Sequence, residues 1–585
     1  MTSAAPVSPV SHQPSFTLLF GLAWLLIVVQ LLATDWTDTA RALGDTDDAM
    51  RLAQLRDWLS GQGWYDLSQP RVAGGYESHW SRLIDAGLAG TLWLFGWFAD
   101  PVMAERLMRT VWPLLWVAPT MAGAVTIAWR IGGREAALMA LLLAAVGLPG
   151  FHQFRAGRID HHNVQIALSM LAVAATVWAD RVRWAALAAG ALTGLAIAIG
   201  LECLPYLVVC AVAFAVRYAI DAKSAQCARE YGMALAASSF AGLLIIAGPD
   251  HWWRAACDEI ALNWLALTVI GGIGLALAVR FASDRISVRV VQMLVVGGVA
   301  AALFVWIEPR CLGGPYAMMD QAVWPIWLSH VREMKPLVKL IIESPVSGIG
   351  IATFPLAGVA AVLVLARTMR ADFGFLVAAG ALLAAVATML ASMKGASYAT
   401  WLAMPLVAAF ALHLFALLQL RSLAPRFAVG LFLTPAVLSF GATAIANAAG
   451  LGRSGNSDRT ETEACFKNES YAVLAKLPRG LVATDIDYGP FLLALTSHSV
   501  LAAPYHRLSA GIITAHQIFS SPPDEARATL ARHRVTYVMT CARPDVGRGE
   551  ASSLGYQLHN GRVPAWLESV PVTEPQAFHV YRLKS

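Results

Sequence analysis

Charge is what this chain has least of. Only 14% of its 585 residues are Asp, Glu, Lys or Arg, against roughly 25% in soluble domains. The net charge of +5 is too small to imply a nucleic-acid partner. Cysteine is sparse, seven in all, with no metal-binding spacing. Cys203, Cys210, Cys227, Cys257 and Cys311 fall in or near apolar runs and read as small core residues. Cys465 and Cys541 lie in a polar region and can pair if that region is outside the cytoplasm. Met1 to Gln13 holds no Lys or Arg, and the run Phe16 to Ala33 ends in no convincing cleavage site. That argues for a retained first span rather than a signal peptide. No internal repeat and no long low-complexity tract is present.

Apolar runs are abundant instead. Hydrophobic residues make up 57% and mean hydropathy is +0.57. Runs at 16–33, 110–130, 136–150, 163–180, 184–198, 200–219, 231–248, 261–279, 288–307, 346–366, 373–391, 398–420 and 428–449 predict about thirteen membrane helices. Leu83 to Phe98 is short and flanked by acids, so it reads as an interfacial or re-entrant helix. Arg130 and Arg134, Arg181 and Arg183, Arg217 and Arg229, Arg280 and Arg289, Arg367 and Arg370, and Arg421 and Arg426 fall in alternate short loops. Those loops are expected in the cytoplasm, with the N-terminus beside them. The loops 34–109 and 308–345, the loop around Asp160 and everything after 449 are then external, periplasmic or extracellular. From about 450 the composition turns polar, with β-like runs at 481–484, 499–503, 535–541 and 578–583 and a helical stretch at 523–533. The expected fold is a mainly α, polytopic plasma-membrane protein (1–449) carrying an external α/β domain (450–585).

Acids and histidines collect on the external side. Asp45, Asp47 and Asp48 follow the first span, and Asp160-His161-His162 sits between two later ones. Each has an ordinary reading: acids favoured in a helix's first turn, or a capping Asp with interfacial histidines. Together on one membrane face they read as a site for a divalent cation. Glu333 and Lys394 lie in external positions too, readable as a helix-surface carboxylate and a snorkelling lysine. Asp485 to Gly489 follows a β-like run and reads locally as a turn.

Taken in order, these residues resemble the catalytic subunit of oligosaccharyltransferases, especially the archaeal single-subunit type. The matching pieces are Asp45 six residues before Arg51, His79-Trp80 followed by Asp85, Asp160-His161-His162, and Val331, Glu333 and Pro336. The resemblance implies a GT-C glycosyltransferase fold with thirteen spans. It implies a metal-dependent transferase taking a sugar or oligosaccharide from a polyprenyl-(pyro)phosphate donor to an acceptor on the outer face. Mn²⁺ or Mg²⁺ would be held by Asp45, Asp160 and His162. Asp47 and Glu333 would orient or deprotonate the acceptor, and Lys394, Arg51 and His161 would meet the donor phosphate. Asp487, Tyr488 and Gly489 match the end of the family's Trp-Trp-Asp-Tyr-Gly acceptor motif, but both tryptophans are absent. Tyr398 or Ser397 stands where the family has a phosphate-contacting Arg. A glycolipid or polysaccharide acceptor is therefore the alternative to protein asparagine. A lipid-linked sugar transporter is disfavoured, since the acids cluster outside the spans and no repeat is present. The chain is expected to act as a monomer.

Overall fold

A computed structural model of the chain describes residues 15–452, 463–542, 550–571 and 577–584. Met1 to Gln13 and most of the expected 450–463 linker lie outside the described residues. Among the described residues, seven helices are long and apolar enough to cross a membrane, or eight if the pair Leu423–Phe432 and Pro435–Ala448, bent by 55°, is one span. The expected thirteen is not confirmed. Three reasons are visible. His162–Trp178, Ala185–Ile199 and Leu204–Ile220 are apolar but have only 17, 15 and 17 residues, short of the roughly 20 that span a bilayer. Ala225–Ile246 is long enough but opens on polar residues. The two ranges 110–130 and 136–150 merge into Pro101–Ala145. That element turns at Gly132 and Gly133, where Gly133 takes a positive φ of 70° that a side chain would disfavour.

Arg82–Phe95 is the amphipathic element expected at 83–98. Ile84, Asp85 and Leu88 face inward, while Trp93, Trp97 and Phe98 beyond them are exposed. Rings so placed suit the lipid–water boundary.

After residue 463 a five-stranded mixed sheet forms in the order β2-β1-β3-β5-β4. The strands are β1 Leu481–Ala483, β2 Ser499–Val500, β3 Tyr537–Cys541, β4 Leu567–Ser569 and β5 Phe578–Leu583. β1 runs parallel to β2 and β3, and β5 antiparallel to β3 and β4. Four of the five coincide with β-like runs in the sequence. β4 is three residues long and carries Glu568 and Ser569, too short and polar to stand out.

The first external loop seats this sheet on the helices. Arg71 O accepts from Val500 N at 2.8 Å, and Ala73 N donates to Val500 O at 2.9 Å, which covers the β2 edge. Tyr505 Oη donates to Thr46 O at 2.9 Å. Asp258 takes His506 at 2.6 Å and Arg507 at 2.7 Å. Two disulfides lie on this same side. Cys465–Cys541 is the pair considered from sequence. Cys257–Cys311 corrects the reading of those two as core thiols. Each sits just beyond the end of an apolar run, and the two runs bring them together.

Candidate active site

The site is assembled by two chain reversals pressed against each other. Asp45 caps the helix Thr46–Leu59, its Oδ1 accepting from the amides of Asp47 (3.0 Å) and Asp48 (3.1 Å). Asp48 answers by accepting from Asp45 N at 2.9 Å, a capping box. The other oxygen of Asp48 takes the amides of Ile159 (2.7 Å) and Asp160 (3.1 Å), so the 158–162 loop lies on the helix start. Two glycines permit the approach. A Cβ at Gly44 would fall 2.0 Å from an Asp48 oxygen, and Gly157 holds a φ of +104°.

Two acidic groups share Asp160. In the first, Asp45, Asp48 and Asp160 surround the buried guanidinium of Arg158, which reaches Asp45, Asp48 at 3.2 Å and Asp160 at 2.5 Å. That group already has its cation. In the second, ligand atoms of Asp47, Asp160 and His162 all lie within 4.8 Å of one another, and Arg158 touches this group through Asp160. Burial, with Asp160 and Glu333 nearby, pushes the Asp47 carboxyl up to about 7. A divalent cation would relieve that repulsion, so the second donor set fits one. The first-loop carboxylate that meets His162 is thus Asp47. The structure does not bring Asp45 into that group.

Behind the histidines stands Glu202. It contacts His162 Nδ1 at 2.7 Å and His161 at 3.8 Å, and it pairs with Lys394. Burial and the adjacent His162 lower His161 to about 3, so it is neutral at pH 7. The segment holding Glu333 lies along the one holding Lys394. Lys394 N donates to Glu333 O at 3.2 Å, and Ser392 Oγ to the same oxygen at 2.7 Å.

Two cavities meet here. The larger, about 990 Å³, is lined by Asp45, Asp47, His161, His162, Glu202, Glu333 and Lys394 on one wall and by Asp487 and Tyr488 on the other. The second, about 530 Å³, has apolar walls including Leu31, Phe151, Ile166 and Met393, and basic groups Arg155 and Arg332. They share His162, Arg332, Glu333 and Lys394. Ser397 and Tyr398 line the second. Gly489, next to Tyr488, does not line the cavity; a Cβ there would fall 2.4 Å from Ala502 O.

Arg51 is not brought to either cavity. It is fully buried, bound to Asp85 at 3.0 Å and stacked over Trp80 at 4.6 Å. Replacing it with Ala is expected to cost about 3 kcal/mol of stability by stranding part of Asp85's charge. Thermal unfolding in detergent reads this. A variant as stable as wild type but weak in donor binding would return Arg51 to the donor site.

Sequence reasoning missed Arg158 and Glu202. Arg158 stands two residues before Asp160, and Glu202 falls inside the apolar run 200–219; neither position locally signals a site.

Against solved structures, this arrangement of helices and sheet has clear counterparts. The chain has the GT-C membrane glycosyltransferase fold. The apo oligosaccharyltransferase of Archaeoglobus fulgidus superposes with a TM-score of 0.68 at 14% identity, over 90% of this chain and 69% of that one. The same enzyme, AglB, in complex with an inhibitory peptide and a dolichol-phosphate gives 0.66 at 14%, over 90% and 69%. Its complex with zinc and sulfate gives 0.61 at 13%, over 90% and 68%. By sequence, no family model and no curated protein matches.

Proposed function

We propose that the chain is a membrane glycosyltransferase that moves a sugar from a polyprenyl-linked phosphate donor to an acceptor hydroxyl or amide on the outer face. The observation that carries this is the meeting of two cavities at His162, Arg332, Glu333 and Lys394, with Asp47 and Asp160 grouped against His162. The narrow apolar cavity suits a lipid tail, and the wide one suits an acceptor. The archaeal relative's complexes with dolichol-phosphate, a peptide, and zinc with sulfate support the reading.

Asp47, Asp160 and His162 would hold Mn²⁺ or Mg²⁺, two carboxylates and an imidazole being apt for either. When bound, the ion supplies charge for the departing phosphate. Lys394, released from Glu202, and His161 bind the donor phosphate from the other side. Arg332 holds it at the mouth of the apolar cavity. Glu202 fixes the ring of His162. The acceptor attacks the anomeric carbon from the wide cavity as the C–O bond to phosphate breaks. The bonding pair leaves on phosphate, and Glu333 takes the acceptor's proton. A single displacement inverts the anomeric centre. With Asp47 among the ligands, the base role rests on Glu333. The site side is external by the alternation of basic loops, and two disulfides on that side suit an oxidising compartment.

The test is donor cleavage by the full chain in detergent, supplied with polyprenyl-linked sugars. EDTA is expected to reduce cleavage at least tenfold and added Mn²⁺ to restore it. Cleavage indifferent to chelation would remove the metal, and no cleavage of any such donor would remove the reading.

A further inference from the structure

The far wall of the wide cavity has a chemistry that the donor end does not use. Phe519 lies on the helix Ser509–Ser520, and Tyr556 and His559 on Leu554–His559. The two helices touch closely. A Cβ at Gly555 would stand 2.8 Å from Phe519 O, and Leu554 N donates to Ser521 O at 2.8 Å. Phe519 and Tyr556, both half-buried, line the cavity from these two helices, as do His516 and His559. Trp327 enters from the external loop that also carries Glu333. Burial and the neighbouring His579 keep His559 below its ordinary value, so its neutral ring can both donate and accept.

Two further observations narrow the occupant. The Lys and Arg residues lining the cavity, Arg332 and Lys394, both belong to the donor end, where the second cavity opens. Among the described residues, the far wall offers no Lys or Arg to a phosphorylated or acidic acceptor. Nor does it offer a sheet edge to an extended peptide. The β2 edge is covered by Arg71 to Ala73, and the β4 edge does not line the cavity. What remains are flat apolar faces flanked by the donor–acceptor groups of Tyr556 and His559, with the carboxylates of Asp485 and Asp487 lining the same cavity and repelling an anionic acceptor. Sugar rings present that complement, an apolar C–H face edged by hydroxyls. A volume of about 990 Å³ is at the top of the range for ligand sites, about 300–1,000 Å³, and leaves room for more than one ring.

Resting on the glycosyl-transfer reading, we propose that the acceptor is a neutral glycan. Its sugar rings lie on Phe519, Tyr556 and Trp327, its hydroxyls pair with His516 and His559, and one terminal hydroxyl reaches Glu333. That hydroxyl gives its proton to Glu333 and its oxygen to the new glycosidic bond.

The experiment is binding to the full chain in nanodiscs, followed by tryptophan fluorescence and calorimetry. The probes are maltotriose, mannotriose and galactotriose, a uronic-acid trisaccharide, and a short Asn-x-Thr peptide. At least one neutral trisaccharide is expected to bind saturably, with the acidic sugar and the peptide at least tenfold weaker. Tyr556→Ala and His559→Ala should each weaken binding about tenfold, and Tyr556→Phe, which keeps the ring, by less than about threefold. Binding of the peptide but no neutral sugar overturns the proposal. So does sugar binding that survives both alanine variants, or that falls equally with Tyr556→Phe. Donor cleavage by the same wild-type preparation is scored separately. A chain that binds trisaccharide but cleaves no polyprenyl donor would keep the glycan site and lose the donor reading. A chain that cleaves donor but binds no neutral sugar would do the reverse.

Discussion

Asp47→Ala is expected to lower transfer by about 10²–10³-fold or more, the loss of one charge-bearing group at a dry reaction centre. Its thermal stability should stay close to wild type or rise slightly. The reason is that Asp47 is held near about 7 by burial and by Asp160 and Glu333, so its carboxylate is not a favourable interaction of the empty site. Asp45→Ala should behave in the opposite way. Asp45 caps a helix and touches Arg158, so its loss should cost about 1 kcal/mol of stability. Its effect on transfer should stay within several-fold. The pair is informative because the acids are only two residues apart. If Asp45→Ala silences the protein and Asp47→Ala spares it, the ligand set is the one the family spacing suggested and not the one the geometry brings together.

Arg158→Met should have the largest effect on folding. The guanidinium is 8% exposed and stands among three carboxylates, of which Asp48 and Asp160 are 1% and 0% exposed. Removing it leaves buried like charges with no counter-ion, which costs about 3–5 kcal/mol where such pairs have been broken. Transfer should fall as well, since Asp160 would turn away from His162. The interaction can be isolated by adding Asp48→Asn, which removes one of the stranded charges and should recover part of the stability. Wild-type stability in Arg158→Met alone would contradict the assignment of that acidic group as a filled ion cluster. For the same reason Asp160→Ala is a poorer probe of catalysis than Asp47→Ala. Asp160 both completes the Arg158 cluster and faces the site, so its loss mixes folding with chemistry.

The membrane character, the amphipathic helix near residue 90 and the α/β domain at the C-terminal end were legible in the sequence, because hydropathy and composition report them directly. The number of spans was not. Apolar runs of fifteen to seventeen residues look alike in sequence whether they cross a bilayer or pack inside a bundle. Which acid meets His162 was not legible either. Asp45 and Asp47 both line the wide cavity. Asp45 is the extended cap beside Arg158, and Asp47, in the first helical turn, is grouped with His162. Asp160, His162, Glu333 and Lys394 stood out in the sequence because buried or interfacial charge is expensive without a purpose, and His162, Glu333 and Lys394 line both cavities. Glu202 and the Cys257–Cys311 bond escaped for a shared reason. Each depends on which helices become neighbours, a fact about packing that no local pattern encodes.

The central claim is that Asp47, Asp160 and His162 hold one divalent cation beside the junction of the two cavities, which His162 lines on both sides. Electron paramagnetic resonance of Mn²⁺ titrated into the full chain in detergent tests it most directly. One tightly bound ion per chain is expected in wild type and in Asp45→Ala, and none in Asp47→Asn or His162→Gln. An ion retained by both of those last variants, or no bound ion in the wild-type protein, would contradict it.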